Sequence, residues 1–124
     1  MLTMNRTWQF GYCFEWAIAY QEIHGGDLFM IRGYFPDEDG PAGAELYQDA
    51  HCVLSPDGGK TVRDAFGVRP ADALIRQCLF SEPVTRVAVV PVSRKEIEEA
   101  HYIESEAIEM ATAEILLALS ARTE

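Results

Sequence analysis

Three residues in the first half of the chain, Cys13, His51 and Asp64, have the types and the order of a nucleophile, a base and an orienting acid. A thiol in the first turn of a helix lies near the positive end of the helix dipole, which favours the thiolate. An imidazole within hydrogen-bond reach can take up and return a proton, and a neighbouring carboxylate holds the ring in one tautomer. The three residues therefore predict nucleophilic catalysis by a Cys-His-Asp triad.

The element that must bring His51 to Asp64 is a β-hairpin predicted over residues 48–67. Asp57-Gly58 is a dipeptide favoured in two-residue type I′ turns, where both central residues need positive φ. That turn sets His51 directly opposite Asp64, on one face of the sheet. A three-residue loop would instead bring Asp64 opposite Cys52, because a slip of one residue changes the face. An ordinary surface hairpin, with a His–Asp contact of no chemical use, remains the alternative.

The element that must present Cys13 is a helix predicted over residues 12–24 and ended by Gly25-Gly26. Apolar residues cover most of its circumference, which is typical of a buried helix. The alternative for Cys13 is therefore a small hydrophobic residue in the core, as is common for free cysteines. We expect the other two cysteines, Cys52 and Cys78, to lie in the core as well.

The rest of the chain predicts an α+β fold in a single domain, 1–124, with a buried N-terminal helix packed on an antiparallel sheet. Ser93 and Glu96 predict a capping box, followed by one long C-terminal helix to about Ala121. Its apolar stripe should pack against the sheet or against a second copy of the chain, so a homodimer is one expectation. The remaining predictions are an extended or irregular segment over 1–10, strands over 27–35 and 84–92, a loop over 36–43 and a short helix over 69–79.

The charge is strongly acidic, with twenty acidic against ten basic residues and a net charge of −10. Such a chain is not expected to bind nucleic acid directly, because that binding relies on Lys and Arg. Seven glutamates run from Glu96 to Glu114 without a lysine or arginine among them. They predict either a solvated helix face or a docking face for a basic protein partner. The second case describes a non-catalytic acidic binding protein, for instance a phage-type inhibitor that occupies a nucleic-acid-binding protein.

Gly11-Tyr12-Cys13-Phe14 partly resembles the Gly-x-Cys-aromatic signature around the nucleophile of papain. With His51-Cys52-Val53-Leu54 and Asp64-Ala65-Phe66-Gly67, residues 9–67 resemble small papain-like and transglutaminase-like cysteine hydrolases of phage and plasmid origin. The resemblance implies a papain-like or transglutaminase-like core. It also implies acyl transfer through a thioester on a protein or peptide substrate: amide hydrolysis, deamidation or transglutamination. The cysteine that precedes the papain signature is absent, and residues 68–124 match no family.

Cofactors, metals and membranes are not expected. The three cysteines lack C-x-x-C spacing, so they predict reduced thiols in a cytoplasmic protein rather than a disulfide framework or a zinc site. One Glu-x-x-His, formed by Glu98 and His101, falls short of the two motifs that a di-iron bundle needs, and His101 is expected on a helix face or interface. No nucleotide-binding motif is present, and no apolar run approaches the length of a membrane span.

Overall fold

The chain forms a five-stranded antiparallel sheet with strand order β4-β3-β2-β1-β5, in a computed structural model that describes residues 12–123. The predicted α+β class with an antiparallel sheet is therefore confirmed. The predictions for residues 1–10, and residues 9–11 of the resemblance, lie outside the described residues. In chain order the elements are α1 Cys13–His24, β1 Asp27–Pro36, β2 Glu45–Ser55, β3 Thr61–Asp64, β4 Gly67–Pro70, α2 Ala71–Ile75, β5 Arg86–Pro91, α3 Arg94–Ala100 and α4 Ser105–Thr123.

The sheet separates two hydrophobic clusters, because successive side chains of a strand point to opposite faces. On β1, Leu28 and Met30 join the cluster beneath α1, α3 and α4, which we call the helix face. Phe29 and Ile31 join the cluster on the opposite face, which α2 covers with Ala71 and Leu74 and which we call the α2 face. The interior strand β1 is thus buried on both sides, which explains its nearly continuous apolar sequence.

The hairpin of β2 and β3 is present, but the predicted two-residue turn is wrong. Leu54 pairs with Arg63, so the connection is longer than Asp57-Gly58. Positive φ angles occur at Gly58 and Gly59, at 75° and 99°, and not at Asp57. The Ser55 hydroxyl organises this loop, since it accepts a hydrogen bond from the Gly59 N–H and donates one to the Thr61 carbonyl. A side-chain network therefore replaces the tight turn.

The C-terminal helix is also different from the prediction. The capping box at Ser93 and Glu96 is confirmed, but the helix stops at Ala100 and a new helix, α4, begins at Ser105. We call residues 101–104 the helix break. Three tertiary contacts hold the break: the His101 ring binds Asp49 and stacks on Phe14, and the Glu15 carboxylate accepts the Glu104 N–H.

The remaining elements agree in outline with the predictions. The short helix predicted over 69–79 is the five-residue α2, and the segment before it pairs with β3 as an additional strand, β4. The apolar stripe of α4 is buried in the helix-face cluster through Ala107, Ala111 and Ile115, but α4 packs mainly on α1 and not, as predicted, on the sheet. Among residues 12–123, none of the helices combines the length and the apolar composition needed to cross a membrane.

Candidate functional site

The structure brings His51 and Asp64 together on the α2 face of the sheet. His51 Nε2 lies 3.0 Å from Asp64 Oδ2, and both side chains are buried. The predicted contact forms although the predicted strand pairing is wrong. The observed pairing is shifted by two residues, and a shift of two leaves each side chain on the same face of the sheet. Leu54 pairs with Arg63, so this register places Asp64 opposite Val53 and makes the contact to His51 a diagonal one.

Asp64 has two further partners at its carboxylate. Arg69 of β4 donates to Oδ2 at 2.6 Å, and the Phe66 N–H donates to Oδ1 at 2.9 Å. Burial alone would raise the pKa of Asp64, but the hydrogen bonds from His51 and Phe66 and the charge of Arg69 together lower it. The carboxylate is therefore held in its charged form by the groups around it, as expected for a buried structural ion pair.

Cys13 lies on the other side of the sheet. It is the first residue of α1, as the sequence predicts, but its thiol is buried in the helix-face cluster together with Cys52. His51 precedes Cys52 in β2 and points to the opposite face. Burial raises the pKa of Cys13 to about 12, the reverse of what a helix N-terminus does to an exposed thiol. The structure thus joins the predicted base to the predicted acid, and it does not join the thiol to either.

A second His–Asp pair, between His101 and Asp49, was not predicted from the sequence. His101 Nε2 lies 2.9 Å from Asp49 Oδ2, and Arg32 Nε donates to Asp49 Oδ1 at 2.7 Å. The pair borders a cavity of about 290 Å³ between β1, β2 and α3. The sequence signal at His101 was a lone histidine among glutamates, and nothing in the sequence pointed to Asp49 as its partner.

A β-bulge at Ala50 explains why Asp49 reaches the helix face. Ile31 pairs with His51 and Arg32 pairs with Asp49, so β2 carries one extra residue between them. The extra residue reverses the alternation of side chains upstream of it. Asp49 therefore shares a face with Arg32 rather than with His51.

The second pair leads to a larger surface cavity at the helix break. It measures about 420 Å³ and lies between the start of α1 and the break, lined by Tyr12, Phe14, Glu15, His101, Tyr102 and Glu104. Glu15 is 2% exposed. Its Oε2 accepts the Glu104 N–H, and no described residue bonds to its Oε1. No group of three or more His, Cys, Asp and Glu side chains within the described part of the chain is placed to hold a metal ion.

Comparison with protein-family models, with curated proteins and with solved structures finds no match to this chain.

Proposed function

We propose that this protein is a non-catalytic acidic binding protein whose partner is a protein with a basic surface. The observation that carries the proposal is the uncompensated charge on α3, α4 and the helix break between them. Glu99, Glu104, Glu106 and Glu109 form no ion pair with any described residue, whereas Glu98 is paired with Arg94. Opposite charge on a partner would steer association and fix its orientation.

The exposed side of α4 adds apolar area to this charge. Met110, Leu116 and Leu117 are among the exposed large hydrophobic residues of the chain, and Leu117 is 72% exposed. Glutamates beside an apolar centre follow the usual anatomy of a protein interface, with a polar rim around an apolar core. A basic surface that otherwise binds nucleic acid has the matching charge, so an inhibitor of a nucleic-acid-binding protein is the role we favour.

The cysteine-dependent acyl-transfer enzyme, with its papain-like or transglutaminase-like core, is the second candidate. The contact between His51 and Asp64 favours it, since that pair would orient a general base. Burial of Cys13 on the opposite face of the sheet weighs against it. Acyl transfer would require a rearrangement that carries the thiol to the imidazole.

Capture of partners from cells of the source organism tests the binding function. The wild-type chain is compared with Glu106→Lys/Glu109→Lys on α4 and with Glu38→Lys/Asp39→Lys in the loop after β1, which changes the net charge equally. We expect the wild-type chain to capture a basic protein that elutes when salt is added. The loop variant should capture the same protein to the same extent, whereas the α4 variant should capture about tenfold less of it. Purified partner should then be displaced from DNA by the wild-type chain. A partner held equally by all three chains, or one indifferent to salt, would contradict the proposal.

A further inference from the structure

We propose that the cavity at the helix break is a cation-binding site that takes an arginine side chain of the partner protein. This inference rests on the proposed function, because it names the group through which a basic partner would be held. It goes beyond that function by assigning the contact to one defined cavity rather than to the acidic surface as a whole.

The first observation is the buried carboxylate of Glu15. A buried charge is costly unless it is paired or fully hydrogen-bonded. Among the described residues, Glu15 has one hydrogen bond, from the Glu104 N–H at 2.9 Å, and its Oε1 has none. The helix N-terminus where it lies favours a negative charge but leaves this oxygen without a hydrogen-bond donor. A cationic donor entering the cavity would supply one.

The second observation is the concentration of charge and aromatic surface around the same cavity. The neighbouring Glu104 carboxylate is the main cause of a raised pKa at Tyr12. Glu104 therefore adds a second carboxylate to the lining, and neither it nor Glu15 forms an ion pair within the described chain. Tyr12, Phe14 and Tyr102 contribute rings, whose faces attract cations.

The third observation is Tyr102, which is 83% exposed and makes no ring contact with a described residue. It lies in the helix break, so its backbone position is set by the contacts of His101 and Glu104 on either side. A tyrosine held in water beside two carboxylates is suited to cover a cation that enters from solvent. The volume of about 420 Å³ lies within the range of small-ligand pockets, roughly 300–1,000 Å³.

Arginine fits this site better than lysine. Its guanidinium group is planar, stacks on aromatic faces and offers several donors to carboxylates, and it is less strongly hydrated than an ammonium group. The ring of Phe14, already stacked against His101 with centroids 4.3 Å apart, gives the cavity a fixed aromatic wall. The donors of a guanidinium could serve Glu15 and Glu104 together.

Titration of the ¹⁵N-labelled full chain with N-acetyl-arginine amide, followed by NMR, tests the site without the partner. We expect saturable shifts at Phe14, Glu15 and residues 101–104, with a millimolar dissociation constant. N-acetyl-citrulline amide, which has the shape without the charge, should bind at least about tenfold more weakly. N-acetyl-lysine amide should bind several-fold more weakly.

Variants then assign the binding to the named side chains. Tyr102→Ala should weaken binding about three- to tenfold and Glu15→Gln about tenfold, whereas Glu38→Gln, in the exposed loop after β1, should change it less than twofold. If Glu15→Gln alters the whole spectrum through misfolding, Tyr102→Ala and Glu104→Gln decide the question, because both residues lie nearer the surface.

Three results would overturn the inference. The first is that the citrulline analogue binds as tightly as N-acetyl-arginine amide. The second is that the chemical shift changes never saturate and spread along α4. The third is that the lysine analogue binds as tightly as the arginine compound, which would contradict the choice of arginine. Failure here while the α4 charge reversal still abolishes partner capture would reject this cavity and leave the proposed function standing. Arginine binding without any captured basic partner would support the cation site and reject the proposed function.

Discussion

Residues 12–123 contain two buried or partly buried His–Asp pairs, one on each face of the same sheet. His51 and Asp64 are 13 residues apart and meet across a hairpin at 3.0 Å. Asp49 and His101 are 52 residues apart and meet at 2.9 Å between a strand and the helix break. The first pair has the spacing that suggests catalysis, yet it is the second that leads to the cavity we assign to a ligand.

The difference lies in what surrounds each pair. Asp64 and His51 are both buried, and Arg69 and a backbone N–H complete the carboxylate's hydrogen bonds. His101 is 26% exposed on its side chain, stacks on Phe14 and lines a surface cavity. A His–Asp contact is therefore a poor sign of catalysis by itself. The same geometry is part of the buried core at His51 and Asp64, and it positions the helix break at His101 and Asp49.

The largest expected effect concerns the nucleophile that the first pair lacks. Iodoacetamide at about pH 6.5 should label Cys13 about a thousandfold or more slowly in the native protein than in the unfolded chain, because the buried thiol must be exposed by unfolding first. Mass spectrometry of the labelled peptides measures the rate at each cysteine. Cys78, which is only half-buried, has a pKa raised to about 11 by burial and serves as the internal control.

Fast labelling of Cys13, slowed by His51→Ala, would contradict this prediction. It would also restore the acyl-transfer candidate, since a reactive thiol dependent on His51 requires the two side chains to meet.

The next effect concerns the stability that the first pair provides. Asp64→Asn should lower the free energy of unfolding by about 3 kcal/mol, because it leaves a buried imidazole and Arg69 without their charged partner. Urea unfolding measures the change, and Asp72→Asn, at an exposed position of α2, is the matched control. A loss no greater than that of the control would show that the buried pair contributes little.

A smaller loss is expected at the second pair. Asp49→Asn should cost about 1–2 kcal/mol, because Arg32 and His101 are partly exposed and can turn to water when the carboxylate charge is removed. The same variant should loosen the helix break and so weaken the binding of N-acetyl-arginine amide. If Asp49→Asn destabilises the chain more than Asp64→Asn, the contrast between the two pairs is wrong.

The smallest expected effect is the pH dependence of the first pair. The ordinary pKa of an aspartate is 3.8, and the folded-state pKa of Asp64 is lower. The stabilisation is therefore complete above pH 3.8 and is lost as the pH falls through the lower, folded value. The stability gap between wild type and Asp64→Asn should narrow by on the order of 1 kcal/mol between neutral pH and about pH 3. A gap that stays constant over this range would mean that the charge of Asp64 does not contribute.

Local patterns in the sequence determined most of the elements and one of the two pairs. A nearly continuous apolar run identifies β1, the glycines after His24 end α1, and Ser93 with Glu96 begins α3, because each of these signals acts within a few neighbouring residues. The contact of His51 with Asp64 was predictable for the same reason. The contact needs only the hairpin and both side chains on the same face of the sheet, and an error of two residues in the pairing leaves them on that face.

Tertiary structure alone decided which face Cys13 occupies, where β2 bulges and where the C-terminal helix breaks. The face of Cys13 depends on the side of the sheet on which α1 packs, which no local spacing encodes. The helical pattern continues through residues 101–104, yet Asp49, Phe14 and Glu15 offer partners to this segment from distant parts of the chain. Contacts of such long sequence separation outweigh a few helical hydrogen bonds, and they exist only once the sheet and α1 are assembled.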